Sequence, residues 1–339
     1  MFKKEEIDNV GKSNYIKCAI FILIVGLLPI FVTNRYYLNV LVFAGIYVTV
    51  SIGLSMLMGY AGQISLGHAG FFAIGGYSSA ILTKMHGVHP LLAMFIGIGF
   101  SILAALLIGL PALRLKGHYL AMATLGFGEI IYVTSGAAVG LTDGPSGFSG
   151  VPSMQLFGFT FRSELSKFFL VWSIAVVILI LSLNIIHSRV GRALRSIHDD
   201  ETAANAMGVN VAKYKIQVFA YSAVLASIAG SLYVHHMRFV SPTGFNLNKS
   251  ILFLIMIMSG GMGSLWGAVI GATLFTLLPE FLSVFDEYDI LMYGVVLLGM
   301  MMFLPKGLTG LTSNMVQHIR KSIDMYLQRR KGVGGKVSK

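Results

Sequence analysis

Glu129 reads as the one carboxylate inside an apolar stretch of this chain, in the run Leu125-Gly126-Phe127-Gly128-Glu129-Ile130-Ile131. A charge at membrane depth is costly and by default marks a functional site. Two roles are open to it: a polar group on a transport pathway or proton relay, or a hydrogen-bond partner tying a span end to its neighbour. A second polar set arrives with glycine. Gln63, Ser65 and His68 lie in Gly59-Tyr60-Ala61-Gly62-Gln63-Ile64-Ser65-Leu66-Gly67-His68-Ala69-Gly70, and Ser264 closes Ser259-Gly260-Gly261-Met262-Gly263-Ser264. Such breaks free backbone groups, which a membrane tolerates only where the backbone is buried in protein or lines a cavity. Freed N–H groups at a helix start can meet a carboxylate. Close helix packing competes as an explanation, above all for Gly263, Gly267 and Gly271, which stand four apart. Packing does not require Gln63, Ser65 or His68.

The composition says what scaffold must position these groups. Of 339 residues, 55% are hydrophobic and 12% charged, where a soluble domain carries about 25% charged. Mean hydropathy is +0.78. The net charge of +11 comes from residues flanking apolar runs, with no basic stripe interleaved with aromatics. That pattern argues for basic cytoplasmic loops and against nucleic acid. Cys18 is the single cysteine, so no intrachain disulfide forms. The first apolar run follows a Lys-bearing start but lacks a small-residue cleavage site, which predicts an uncleaved first helix.

A bilayer span needs about 20 apolar residues. Runs of that kind fall near 18–33, 38–58, 65–83, 90–110, 118–140, 167–187, 216–234, 249–282 and 290–304. If 249–282 breaks at its glycines, the count is ten and both termini share a side; unbroken, it is nine. With ten spans and the N-terminus inside, only six of the 25 Lys and Arg fall outside: Arg35, Lys84, Arg162, Lys167, Arg238 and Lys249. Positive residues favour the inside, so we expect an all-α integral membrane protein with about ten transmembrane helices and Gly-rich broken helices. Residues 1–17 read as a cytoplasmic segment, 18–304 as the transmembrane domain and 305–339 as a basic cytoplasmic tail. No Lys or Arg is expected deep in a span, which leaves backbone or hydroxyls to meet a carboxylate there.

The largest inside loop, 188–215, reads as a short helix outside the bilayer. Ser196-Ile197-His198-Asp199 fits a capping box. Asp199, Asp200 and Glu201 would fill a first turn, where the helix dipole favours acid. Ala203 and Ala204 continue it, and Gly208 is a natural stop. The outside loop 141–166 is dense in turn formers and is either a connector or a docking surface. His235 and His236 read as interfacial residues at a span end. Gly11-Lys12-Ser13 fails as a phosphate loop, because Glu6 stands where a glycine is required. No zinc-ligand spacing and no nucleophile elbow is present, so neither a metal nor a cofactor is expected.

Together these stretches resemble the LivM-type permease of branched-chain amino acid ABC importers. The resemblance rests on Met58 to Phe72 and Leu125 to Ile131, on Leu141-Thr142-Asp143-Gly144-Pro145-Ser146-Gly147, on Ala204 to Asn210, on Gly260 to Gly267 and on Leu304-Pro305-Lys306-Gly307-Leu308. It implies a transport subunit of the bacterial inner membrane with no ATPase site of its own. It also implies a second homologous permease, two cytoplasmic ATPase subunits, an extracytoplasmic solute-binding protein and surrounding lipid as partners. The loop Glu201-Thr202-Ala203-Ala204 with Gly208 resembles the coupling motif that docks into the ATPase, at a different spacing from the family's. The pathway residues expected on this reading are Gln63, Ser65, His68, Glu129 and Ser264. Permeases for urea or short amides share much of the Gly-rich pattern and remain an alternative, as does a proton-coupled carrier using Glu129.

Overall fold

The computed structural model describes residues 4–282 apart from 33, 114, 116 and 157, together with 294–295, 298–299, 302 and 307–308. In chain order the helices are α1 (Lys4–Phe31), α2 (Arg35–Ser55), α3 (His68–Met85), α4 (Pro90–Ala112), α5 (His118–Ala137) and α6 (Val139–Thr142). Then follow α7 (Glu164–His187), α8 (Arg189–Asp199), α9 (Glu201–Ala206), α10 (Val211–Met237), α11 (Leu247–Gly260) and α12 (Leu265–Leu282). A π-helical turn, Met56–Tyr60, extends α2. Six of the described helices are long and apolar enough to cross a membrane. The expected count of ten therefore stands as a proposal, with the run 290–304 mostly outside the described residues. Helix α1 begins at Lys4, so the segment 1–17 expected to precede it is largely helical.

Helix α2 is the hub. Its most apolar window is 94% buried, against 28% for α4 and for α5. The cause is in its sequence: Leu38 to Leu54 is apolar nearly all round, and a helix of that kind seeks protein or lipid on every side. Helices α7, α10, α11 and α12 surround it. Trp172 of α7 donates its indole N–H to the Leu41 carbonyl (3.0 Å) and so fixes one of those contacts. Helix α3 packs chiefly on α10 and α4 rather than on α2.

The stretch 249–282 does break, as the charge pattern demanded. Helices α11 and α12 are joined by residues 261–264 and fold back on one another. A Cβ placed on Gly260 would lie 1.9 Å from the Gly267 carbonyl, and one on Gly271 would lie 1.9 Å from the Met256 carbonyl. The two pairings run in opposite directions along the chain, so the hairpin is antiparallel. The four-residue glycine ladder and the helix break are one device. Glycine lets the two backbones touch.

The loop 141–166 is pinned to the helices. Phe148 and Ser149 pair antiparallel with Val240 and Phe239, and Gln155-Leu156 pairs with Phe159-Thr160. His235 and His236, in the last turn of α10, are buried within the protein. Ser231 donates to Ser79 (2.8 Å), Ser79 to His235 Nε2 (2.8 Å), and His235 Nδ1 to the Pro152 carbonyl (2.7 Å). Burial demands partners for each polar group. This chain of three bonds supplies them and ties the loop to α3 and α10.

Candidate functional site

The two Gly-rich breaks meet. Ser55 donates to the Met262 carbonyl (3.0 Å) across 207 residues of sequence. A Cβ on Gly59 would fall 1.6 Å from that same carbonyl oxygen. Only glycine permits this approach. Beside the junction lies a cavity of about 480 Å³ lined by Lys17, Gly59, Tyr60, Arg195, Ser264 and Trp266, among others. Ser264 also caps α12, accepting from the Gly267 N–H (3.2 Å).

Two of the freed amides of the first break are occupied within the protein. The Leu66 N–H donates to Thr124 Oγ1 (3.0 Å) and the Ala69 N–H to Ser250 Oγ (3.0 Å). Ser65 and His68 form a closed buried set: Ser65 Oγ is 3.0 Å from His68 Nδ1, and His68 Nε2 is 3.1 Å from Ser222 Oγ. Ser222 in turn donates to the Phe219 carbonyl (2.8 Å). These groups lock the start of α3 against α5, α10 and α11. A substrate carboxylate finds neither of those two amides free.

Gln63 points to a different place from the other break residues. Its Nε2 donates to the Ala61 carbonyl (3.1 Å) and to Glu201 Oε1 (3.4 Å). Glu201 is the first residue of α9 and holds Lys215 at 2.5 Å. The Lys215 side chain is 4% exposed and that of Glu201 27%. Gly62, with φ +67°, lies against His198: a Cβ there would be 3.0 Å from Nδ1. The first break therefore rests directly on the loop 188–215.

That loop is ordered differently from the expectation. Ser196 caps nothing, because α8 runs through it and its hydroxyl donates back to the Ala193 carbonyl (2.8 Å). The cap of α9 is Asp200, whose Oδ1 accepts from the Thr202 N–H (2.7 Å) and the Ala203 N–H (3.0 Å). Asp199 ends α8 rather than starting a helix. A second cap at Ser188 starts α8, accepting from the Val190 N–H (3.1 Å). Ala203 is exposed while Ala204 is buried. Gly208 takes the left-handed conformation expected of it, φ +84°, with open space where a Cβ would stand. Beside it Met207 is 85% exposed, a large apolar side chain at the tip of the loop. Behind the tip, Arg189, Arg192, Gly208, Asn210 and Lys213 line a groove of about 520 Å³.

Glu129 is half-buried on α5 and makes no hydrogen bond or ion pair among the described residues. It is also not alone as an acid in an apolar helix, because Glu280 lies within α12 near its end. Of the five expected pathway residues, Ser65 and His68 belong together, Gln63 joins the loop, Ser264 caps α12 and Glu129 stands apart. Two residues were missed. Lys215 looked like an ordinary inside flank, and its position just within the apolar start of α10 was the available signal. Lys249 was counted only as a flanking charge, and its ammonium sits among tyrosine rings near the start of α11.

Residues 36–305 match the family described as branched-chain amino acid transport system, permease component. The chain belongs to that family. This permease is 32% identical over 305 residues to the high-affinity branched-chain amino acid transport system permease protein LivM of Salmonella typhimurium, covering 83% of this chain and 72% of that one. The LivM of Escherichia coli K12 is similar to the same extent. The permease is also 25% identical over 293 residues to LivH of Escherichia coli K12, over 78% of this chain and 91% of that protein. No solved structure matches it. Membership, with six apolar helices of spanning length, makes the chain a multi-pass membrane transport protein.

Proposed function

We propose that this chain is a membrane-spanning subunit of an ATP-driven importer of branched-chain amino acids. In this reading it crosses the bacterial inner membrane ten times with both termini inside. It pairs with a second, similar permease, receives substrate from an extracytoplasmic binding protein, and is driven by two cytoplasmic ATPase subunits. The observation that carries the reading is the 32% identity to the LivM permeases over most of the chain. The LivH likeness supports a partner permease of the same kind. Urea or short-amide transport has no support among these named relatives.

The geometry suggests how coupling works. The tip of α9, with exposed Ala203 and Met207, is the contact for an ATPase. Glu201 and His198 behind it touch Gln63 and Gly62. These two residues lie in the first break, which meets the second at Gly59 and Met262. A displacement of the loop would reach both breaks through these side-chain and backbone contacts. A proton-coupled carrier would need no such loop, and Glu129 has no basic partner among the described residues.

Co-purification from the native membrane tests the assembly: two ATPase subunits and a second permease should accompany the chain. Reconstituted leucine uptake should need ATP. Uptake driven by a pH gradient alone would instead establish the carrier. Orientation is tested separately, in a Cys18-free background. An impermeant thiol reagent on intact cells should label a cysteine at position 283 and spare one at 322. The reverse pattern removes the ten-span topology.

A further inference from the structure

At the end of the bundle where α2 and α11 start and α10 and α12 finish, a cavity of about 640 Å³ opens between these four helices. That volume lies within the range of small-molecule sites. Its chemistry is divided. Val40, Phe43, Leu252, Met256 and Phe275 supply an apolar wall. Tyr36, Asn39, Asn248 and Glu280 supply polar groups, with the Tyr36 hydroxyl donating to the Glu280 carboxylate. Tyr47 and Tyr233 also line it, and against them lies Lys249. Its ammonium donates to the Tyr47 hydroxyl at 2.6 Å and stands 4.3 Å and 5.7 Å from the centroids of the two tyrosine rings. It makes no ion pair among the described residues. Cations removed from water are normally paired with an anion. Here a phenol and two ring faces stand in for one.

We infer that this cavity is a binding site for a free amino acid with an apolar side chain. The carboxylate would be taken by the Tyr47 hydroxyl, which accepts from Lys249 and so keeps its own proton to donate outward with a positive charge behind it. The α-ammonium would be taken by the Glu280 carboxylate, the Asn39 oxygen being already engaged by His236 Nε2 at 2.6 Å. The side chain would lie against Leu252, Met256 and Phe275. An ammonium behind Tyr47 and a carboxylate in the lining match a zwitterion and suit neither a simple anion nor a hydrocarbon chain. The inference deepens the proposed function and rests on it for the substrate class. The site itself is separate from the Gly-rich junction, since no residue lining the one lines the other.

The test uses the full chain in lipid nanodiscs, with labelled leucine as the probe and two competitors. Isopentylamine lacks the carboxylate and 4-methylpentanoate lacks the ammonium. We expect saturable leucine binding that either analogue displaces at least about tenfold less well than unlabelled leucine, the equivalent of one lost charge-assisted hydrogen bond. Lys249→Met and Glu280→Gln should each weaken leucine binding by a similar factor while eluting as the parent does on gel filtration. Displacement by both analogues as effective as by leucine itself would mean an apolar-chain site and overturn the zwitterion assignment, as would binding unchanged in both variants or absent in the parent. The complete transporter separates the two levels. ATP-driven leucine uptake that both variants leave intact refutes the cavity and spares the proposed function. Leucine bound by the isolated chain in an assembly that imports no branched-chain amino acid supports the cavity and refutes the function.

Discussion

The Glu201–Lys215 pair should be asymmetric, and the asymmetry can be worked from exposure. Lys215 is all but buried, its side chain 4% exposed, while Glu201 retains 27%. Removing one partner of a buried pair costs about 3–5 kcal/mol when the survivor cannot reach water. Glu201→Ala strands Lys215 in that state. A quarter-exposed partner softens the effect, so we take the lower bound, about 3 kcal/mol, or a factor of about 150 in local opening. Lys215→Met leaves Glu201, which can turn to solvent, and Met fills the lysine's volume. That loss should be nearer about 1 kcal/mol, roughly fivefold, as for an exposed pair. The double variant removes both charges and should recover most of the difference. Amide hydrogen exchange across α9 in the purified protein reads these factors directly, because local opening sets the rate. Exchange in Lys215→Met as fast as in Glu201→Ala, or faster, would refute the reasoning, and so would strictly additive effects in the double variant.

Three further outcomes follow from the same structure. Gly59→Ala must push the Met262 carbonyl away, since its Cβ would lie 1.6 Å from that oxygen. We expect a loss of about 1–3 kcal/mol, seen as a lower melting temperature in detergent, whereas Gly126→Ala, with open space around it, should melt as the parent does. Gly208→Val meets no atom but is forced to φ +84°, a strain of about 1–3 kcal/mol for a branched residue. It should keep normal membrane abundance while losing ATPase association and uptake. Glu129 has no partner among the described residues, so Glu129→Leu should leave the isolated chain as stable as the parent by thermal melting. In the assembled transporter Gln should keep most ATP-driven uptake and Leu should not; abolition of uptake by Gln would argue for a titrating group.

Much of this fold was legible because the bilayer imposes one period and one length. Spans near 38–58, 90–110 and 167–187 reappear as α2, α4 and α7 within a few residues. The charge count chose the broken form of 249–282, and Gly260 and Gly271 show the break. The left-handed Gly208 was readable from its type alone. What sequence could not reveal was which polar groups face one another. Gln63 looked like a companion of Ser65 and His68 because all three are polar residues of one Gly-rich break. The π-turn and the left-handed Gly62 instead send it to Glu201, 138 residues away. The capping box at Ser196 failed because α8 continues through it, and Asp200, outside the motif, took the role. The role of Lys249 was not legible because a basic residue near a helix start counts only as a flanking charge until its neighbours are known to be tyrosines.

The buried position of α2 has a consequence for how the protein is made. Its Ser55 hydrogen bond reaches Met262, and that residue is synthesised 207 positions later. At about 5–20 residues per second, α2 waits roughly 10–40 s before its last neighbours exist. A helix destined for the centre of the bundle must therefore first survive in lipid, alone. That requirement accounts for a core helix with so few polar side chains: Thr49 already bonds to the Gly45 carbonyl within its own helix, and the wait leaves little exposed that hydrocarbon would reject. A polar substitution in the middle of α2 that the finished bundle could accommodate would still be selected against during biogenesis, when the only solvent available is the membrane.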